Sequence, residues 1–173
     1  RFALSPEREA KLRERLGPDT LILSTCNRTE IYVGDGANQS PQALRHLICD
    51  TLGSERGALL NHLYAKSGVE GIRHLYRVAC GLDSAVLGEA QILGQVREAW
   101  DALKANAQPS PIFERIVSGA LKVAASSREL TEIGAGAVSV ASASVQLTRR
   151  IFSNFGSHQA LVLGAGATAR LAA

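Results

Sequence analysis

The chain has 173 residues, 46% hydrophobic and 20% charged, a globular composition large enough for one good core or for one domain and part of another. Its formal net charge of +3 would help a polyanion approach without establishing nucleic-acid binding. No apolar run approaches the roughly 18–20 residues that span a bilayer, and the opening residues do not show a charged-then-apolar signal-peptide pattern.

Ser5-Pro6-Glu7 predicts a helix start, with a capping hydroxyl, proline at the first helical position and an acid in the first turn. Leu12 and Leu16 share a face of that helix, and Gly17-Pro18 ends it. Residues 21–33, LILSTCNRTEIYV, follow: two short β-like runs (21–23 and 31–33) around a polar segment, or one strand with an irregular middle. A turn at 34–38 leads to Ser40-Pro41, which opens a second helix carrying Leu44, Leu47, Ile48, Thr51 and Leu52 at helical spacing, closed by Gly53. Residues 59–65, LLNHLYA, read as a third strand with imperfect alternation.

From Gly68 the pattern turns helical. Ile72, Leu75, Tyr76 and Ala79 form one stripe, closed by Gly81. Ile92, Val96, Ala99 and Leu103 form a second, on a helix starting near Gly88 or Glu89 and fading by Ala107. After the break at Gln108-Pro109-Ser110-Pro111, Phe113, Ile116, Val117, Ala120, Leu121 and Ala124 stripe a third. Val140, Ser144, Leu147 and Ile151 mark a last helix ending near Phe155-Gly156. Residues 159–163 are a short apolar strand running into Gly164-Ala165-Gly166-Ala167-Thr168-Ala169. A strand followed by GxGxxA opens a dinucleotide-binding unit, the glycines giving a tight turn and close approach to a pyrophosphate. The fold class expected is α+β: a small mixed sheet with helices, a helical cluster, then the first strand and turn of a Rossmann-type unit.

Two constellations carry chemistry. Cys26 stands beside Arg28, and a guanidinium favours the thiolate that a cysteine nucleophile needs. His74 could serve it as acid or base, although a lone Cys is more often a small buried hydrophobe and His74 reads equally as surface. Arg28 suits clamping a carboxylate, or pairs with Glu30. The second constellation is 81–95, GLDSAVLGEAQILGQ, where Asp83, Ser84, Glu89, Gln91 and Gln95 crowd two glycines. A polar interhelical loop capped by Asp83 or Ser84 is the plainer account, but it leaves Gln91 and Gln95 aligned on one helical face unexplained. The three cysteines (Cys26, Cys49, Cys80) lack disulfide or zinc spacing, which favours a reducing, cytoplasmic setting. His46, His62 and His158 read as packing or surface, and no metal site is expected.

Together LSTCNRTEIYV (23–33), HLYRVACGLDSAVLGEAQILGQV (74–96), AVSVASASVQLTRRIF (137–152) and LVLGAGAT (161–168) resemble the glutamyl-tRNA reductase family, in the family's order and along almost the whole chain. The resemblance implies NADPH-dependent reduction of glutamyl-tRNA(Glu) to glutamate-1-semialdehyde, the first step of the C5 route to tetrapyrroles. It makes Cys26 the nucleophile that forms a thioester and His74 an activity-linked residue. It makes Thr25, Asn27, Arg28, Ser84, Glu89, Ala90, Gln91 and Gln95 substrate-binding, and 164–169 (Gly164, Ala165, Gly166, Ala167, Thr168, Ala169) the start of the NADPH site. It also implies a homodimer, handover to glutamate-1-semialdehyde aminomutase, a catalytic domain over 1–156 and a truncated beginning of the NADPH-binding domain over 157–173. An opening Arg1 and the lack of any Met are what an internal portion of a longer protein would show. Two departures stand out: Ala90 replaces the family's usual proline, and 125–131 lacks two of its usual positive charges, which should weaken any phosphate contact there. The competing readings are a catalytically silent tRNA-binding or regulatory relative, and a Cys-His hydrolase, for which a dinucleotide turn has no use.

Overall fold

The computed structural model of the chain describes residues 4–25, 27–34, 40–53, 59–84, 86–134, 140–152, 158–159 and 161. Helix α1 (Pro6–Leu16) begins as the sequence predicts, with the Ser5 hydroxyl accepting from the Arg8 N–H and Leu12 and Leu16 buried. Strands β1 (Thr20–Ser24) and β2 (Thr29–Val33) pair antiparallel, with Leu21 opposite Tyr32, Ile22 opposite Ile31 and Leu23 opposite Glu30. Helix α2 (Pro41–Leu52) is capped by Ser40 and ends at left-handed Gly53. Then come α3 (Gly68–Ala79), α4 (Ala90–Asn106), α5 (Pro111–Leu130), a single 3₁₀ turn (Glu132–Gly134) and α6 (Val140–Ile151). The architecture is α+β, and among the described residues the sheet is this one two-stranded hairpin.

The hairpin is covered on both faces. Successive strand residues point to opposite sides, so Leu21 and Leu23 enter one core with Leu75, Val78, Val96, Trp100 and Val117 of α3–α5. Ile22 enters another core with Leu12, Leu16, Cys49, Leu52 and Leu59. Strand β1 is therefore buried at four consecutive positions. On β2 the same parity turns Glu30 and Tyr32 toward the helical cluster, and Ile31 and Val33 toward α1 and α2.

Four expectations change. Residues 59–65 are not a strand: Leu59 and Leu60 are helical, 61–62 form a turn and 63–67 run irregularly. Their leucines pack as a plug on the smaller core instead of alternating across a pleat. On α3 the buried face is His74, Leu75, Val78 and Ala79, while Ile72 is exposed. The helix is rotated from the expected stripe so that a histidine points inward. Neither Asp83 nor Ser84 caps α4; Glu89 occupies that position, without a side-chain cap bond. The last helix stops at Ile151, and the expected turn at 34–38 falls largely outside the described residues.

Candidate active site

The β1–β2 connection is built by Thr25. Its hydroxyl accepts from the N–H groups of Asn27 (3.2 Å) and Arg28 (3.1 Å) and donates to the Arg28 carbonyl (3.2 Å), while its own N–H donates to that carbonyl at 2.8 Å. A threonine side chain thus supplies the bonds that a tight polar turn needs. Its hydroxyl is committed to the backbone, which makes Thr25 a builder of the loop as well as part of its wall.

Arg28 leaves this turn toward the segment after α3. Its Nη1 donates to Glu30 Oε1 at 3.2 Å and to the Asp83 carboxylate, and its Nη2 donates to the Asp83 backbone carbonyl. Partial burial works against its charge, but Asp83 and Glu30 together outweigh that and its pKa rises. The Asp83 carboxyl lies below its ordinary value, chiefly through the bond from Arg28, which overcomes the opposing cost of burial. Arg28 does pair with Glu30, as one of the two sequence alternatives has it, within a half-buried cluster.

Glu30 is the hub. It is 8% exposed, and its Oε1 receives Tyr64 Oη at 2.9 Å and lies 3.0 Å from His74 Nε2, while its Oε2 receives the Tyr32 hydroxyl. Burial opposes its ionisation most strongly, yet the bonds from Tyr32 and His74, the His74 charge and the Tyr64 bond win, and the carboxyl sits below its usual value. An ionised Glu30 only accepts, so the His74 proton facing it belongs to Nε2, which leaves Nδ1 as the basic nitrogen of the neutral ring. Tyr32 is pushed up strongly by burial and by the Glu30 charge. Tyr64 keeps an exposed ring but places its hydroxyl in the cluster, where desolvation and Glu30 push it up to about 12. The Tyr64 ring meets the imidazole edge-on, with centroids 5.9 Å apart.

Two hollows flank Arg28. One is a cleft of about 520 Å³ lined by Arg28, Tyr64, Ala65, Lys66, His74 and Asp83. The other is a narrow depression lined by Thr25, Asn27, Arg28, Ser84, Glu89, Gln91, Ile92 and Gln95. The two sequence motifs therefore meet in space, and every candidate substrate residue but Ala90 faces one depression. Ala90 is an exposed first residue of α4. Cys26 and 164–169 lie outside the described residues. Glu30, Asp83 and His74 hold donor atoms within 4.8 Å of one another, a spacing that suits a cation; the Arg28 guanidinium already provides one. Tyr32 and Tyr64 carried no signal as site residues, and Glu30 was legible only as a pairing partner for Arg28.

The cluster is expected to contribute to the acid stability of the fold. A carboxyl whose pKa is lower folded than unfolded binds fewer protons in the folded state at mildly acid pH. Its contribution is then complete above the ordinary carboxylate range and is lost as pH falls toward the depressed value. Glu30 and Asp83 both have this sign. Urea unfolding from pH 7 down to about pH 3 should show stability falling below about pH 5, with a shallower slope in Glu30→Gln. An unchanged slope in that variant would locate the acid sensitivity elsewhere.

A family model described as glutamyl-tRNAGlu reductase, N-terminal domain, matches residues 1–131. The glutamyl-tRNA reductase of Deinococcus radiodurans is 40% identical over 174 residues, which cover 99% of this chain and 48% of that protein. That of Thermus thermophilus is 45% identical over 151 residues, covering 87% of this chain and 36% of that protein. The solved glutamyl-tRNA reductase from Methanopyrus kandleri superposes with a TM-score of 0.66 at 30% identity, over 99% of this chain and 40% of that one. The chain spans less than half the length of these relatives.

Proposed function

The chain belongs to the glutamyl-tRNA reductase family, and from that premise we propose that it performs the covalent half of an NADPH-dependent reduction of glutamyl-tRNA(Glu) to glutamate-1-semialdehyde. The observation that carries this reading is the meeting of the 25–28 turn and the 84–95 segment around one depression, beside a histidine oriented by a buried carboxylate.

In this reading His74 takes the Cys26 thiol proton at Nδ1, and the sulfur attacks the activated carbonyl of the glutamyl ester. The C–S bond forms as the bond to the tRNA ribose oxygen breaks, and the departing oxygen takes the proton back from His74. Glu30 holds the imidazole in the productive tautomer and stabilises the cation formed in between. Arg28 binds the substrate's side-chain carboxylate, and Asn27, Ser84, Glu89, Gln91 and Gln95 surround the rest of the glutamyl group. A thioester accepts hydride better than an oxygen ester, and that hydride is what NADPH supplies when bound. Residues 1–156 then form the catalytic domain and 157–173, with 164–169, open the cofactor domain. A cytoplasmic homodimer that passes its aldehyde to an aminomutase completes the proposal.

The test is incubation of the chain with glutamyl-tRNA carrying labelled glutamate, without reductant. A hydroxylamine-sensitive label mapping to the peptide that contains Cys26 is expected. Label on no cysteine peptide would favour the silent tRNA-binding relative.

A further inference from the structure

The C-terminal turn of α5 reaches across to the end of the loop that follows α3. Arg128 donates from Nη1 to the Gly88 carbonyl at 3.1 Å and from Nη2 to the Glu89 carbonyl at 2.7 Å. Its Nε is buried and has no partner among the described residues. The guanidinium is turned inward onto two successive carbonyls of the loop.

The same loop end is gripped from a second side. Gly88 has φ +75°, and a Cβ there would fall 1.8 Å from the carbonyl oxygen of Ile133, in the 3₁₀ turn just after α5. The Gly88 N–H also closes the loop on itself, donating to the Gly81 carbonyl at 2.9 Å. What this clamp positions is the wall of the depression. The loop carries Asp83, which holds two N–H groups of Arg28, and Ser84; Glu89, Gln91 and Gln95 stand at its exit and on the first turns of α4.

We propose that Arg128 is a positioning residue for substrate binding: its fork on the Gly88 and Glu89 carbonyls fixes the loop that carries one wall of the depression and the Asp83 partner of Arg28. The proposal rests on the thioester-forming activity stated above. A fork on two carbonyls cannot be reproduced by the single nitrogen of lysine, and misplacing a binding wall by about 1 Å can cost two orders of magnitude.

The experiment compares Arg128→Lys and Arg128→Met with the wild-type chain in single-turnover thioester formation, over a range of glutamyl-tRNA and salt concentrations. Both variants should raise the half-saturating glutamyl-tRNA concentration about tenfold or more. The limiting rate, the rate of Cys26 alkylation by iodoacetamide and the salt slope should stay near wild type. The proposal is overturned if lysine restores wild-type saturation while methionine lowers the log–log salt slope by about 1, the signature of a phosphate contact. It also fails if neither variant shifts saturation, or if limiting rate and alkylation fall together with the melting temperature. Amide hydrogen exchange over 81–89 reads the clamp independently of activity: Arg128→Lys should speed exchange there and not in α1 or α2, and no change would overturn the clamp. If wild type forms no thioester while exchange responds in this way, it is the functional reading that fails and the clamp that stands.

Discussion

On the proposed function, Arg28→Lys is expected to lower kcat/KM for thioester formation on glutamyl-tRNA by about three orders of magnitude, or about 4 kcal/mol of transition-state stabilisation. A guanidinium has five N–H groups in a fixed plane. Glu30 and Asp83 use both on Nη1 and one on Nη2. Among the described residues two remain, one on Nη2 and one on Nε, and adjacent Nη2 and Nε N–H groups match the two oxygens of a carboxylate. Lysine has one nitrogen; once it serves Glu30 and Asp83 it has no planar pair to offer. Charge-assisted bonds are worth about 1.5–3 kcal/mol each, so losing two gives the stated effect. Single-turnover labelling with glutamyl- and glutaminyl-tRNA measures it. The clamp reading requires the loss to be far larger for the acidic substrate. A variant within tenfold of wild type, or an equal loss on both substrates, would reassign Arg28 to the scaffold.

How far the sequence revealed this site depends on the kind of signal. Caps and breaks are local chemistry, so Ser5, Ser40, Ser110 and Gly53 mark their helix ends where expected. The depression was legible only through the family resemblance, which joined Thr25, Asn27 and Arg28 with Ser84, Glu89, Gln91 and Gln95 as one substrate-binding set; all seven line it. What was hidden is the two-sided cover on the hairpin. Read as a half-buried strand, T-E-I-Y-V puts Ile31 and Val33 inside and sends Glu30 and Tyr32 to solvent. With α1 and α2 on one face and α3–α5 on the other, both faces of the hairpin pack against a core.

Glu30 is therefore buried, and a buried carboxylate must find donors. They come from 34 to 44 residues away, Tyr64 and His74, and from Arg28 and Tyr32 nearby. No short-range pattern announces pairings of that separation. The misread of Ile72 has the same origin. Its spacing with Leu75 and Ala79 is a good stripe, but the helix turns to satisfy His74 against Glu30 and leaves Ile72 at the surface. Arg128 shows the reverse limit: a lone cation on a helix end reads as a surface charge until its two carbonyl partners, 39 and 40 residues away, are seen.

Glu30→Ala is expected to destabilise the fold by about 3–5 kcal/mol, the cost of stripping one partner from a buried charged network. The His74 and Tyr32 donors would be left facing a void, and Arg28 would keep only Asp83. Glu30→Gln separates structure from chemistry. Its carbonyl oxygen can occupy the place of Oε1 and accept from His74, Tyr64 and Arg28, while its amide faces the Tyr32 hydroxyl, which can rotate to accept. The stability cost should then drop to about 1–2 kcal/mol, that of weakened bonds and not of orphaned ones. The rate should not recover with it. A neutral amide cannot stabilise the imidazolium formed when His74 takes the thiol proton, and it relaxes the preference for the tautomer with Nδ1 free, so thioester formation should stay about 100-fold slow. Urea unfolding and single-turnover labelling on the same samples separate the two quantities. Full speed in Glu30→Gln would make the carboxylate a structural hub alone. A double substitution with His74→Asn provides the remaining check: if Glu30 acts through the imidazole, the paired variant should be hardly slower than His74→Asn by itself.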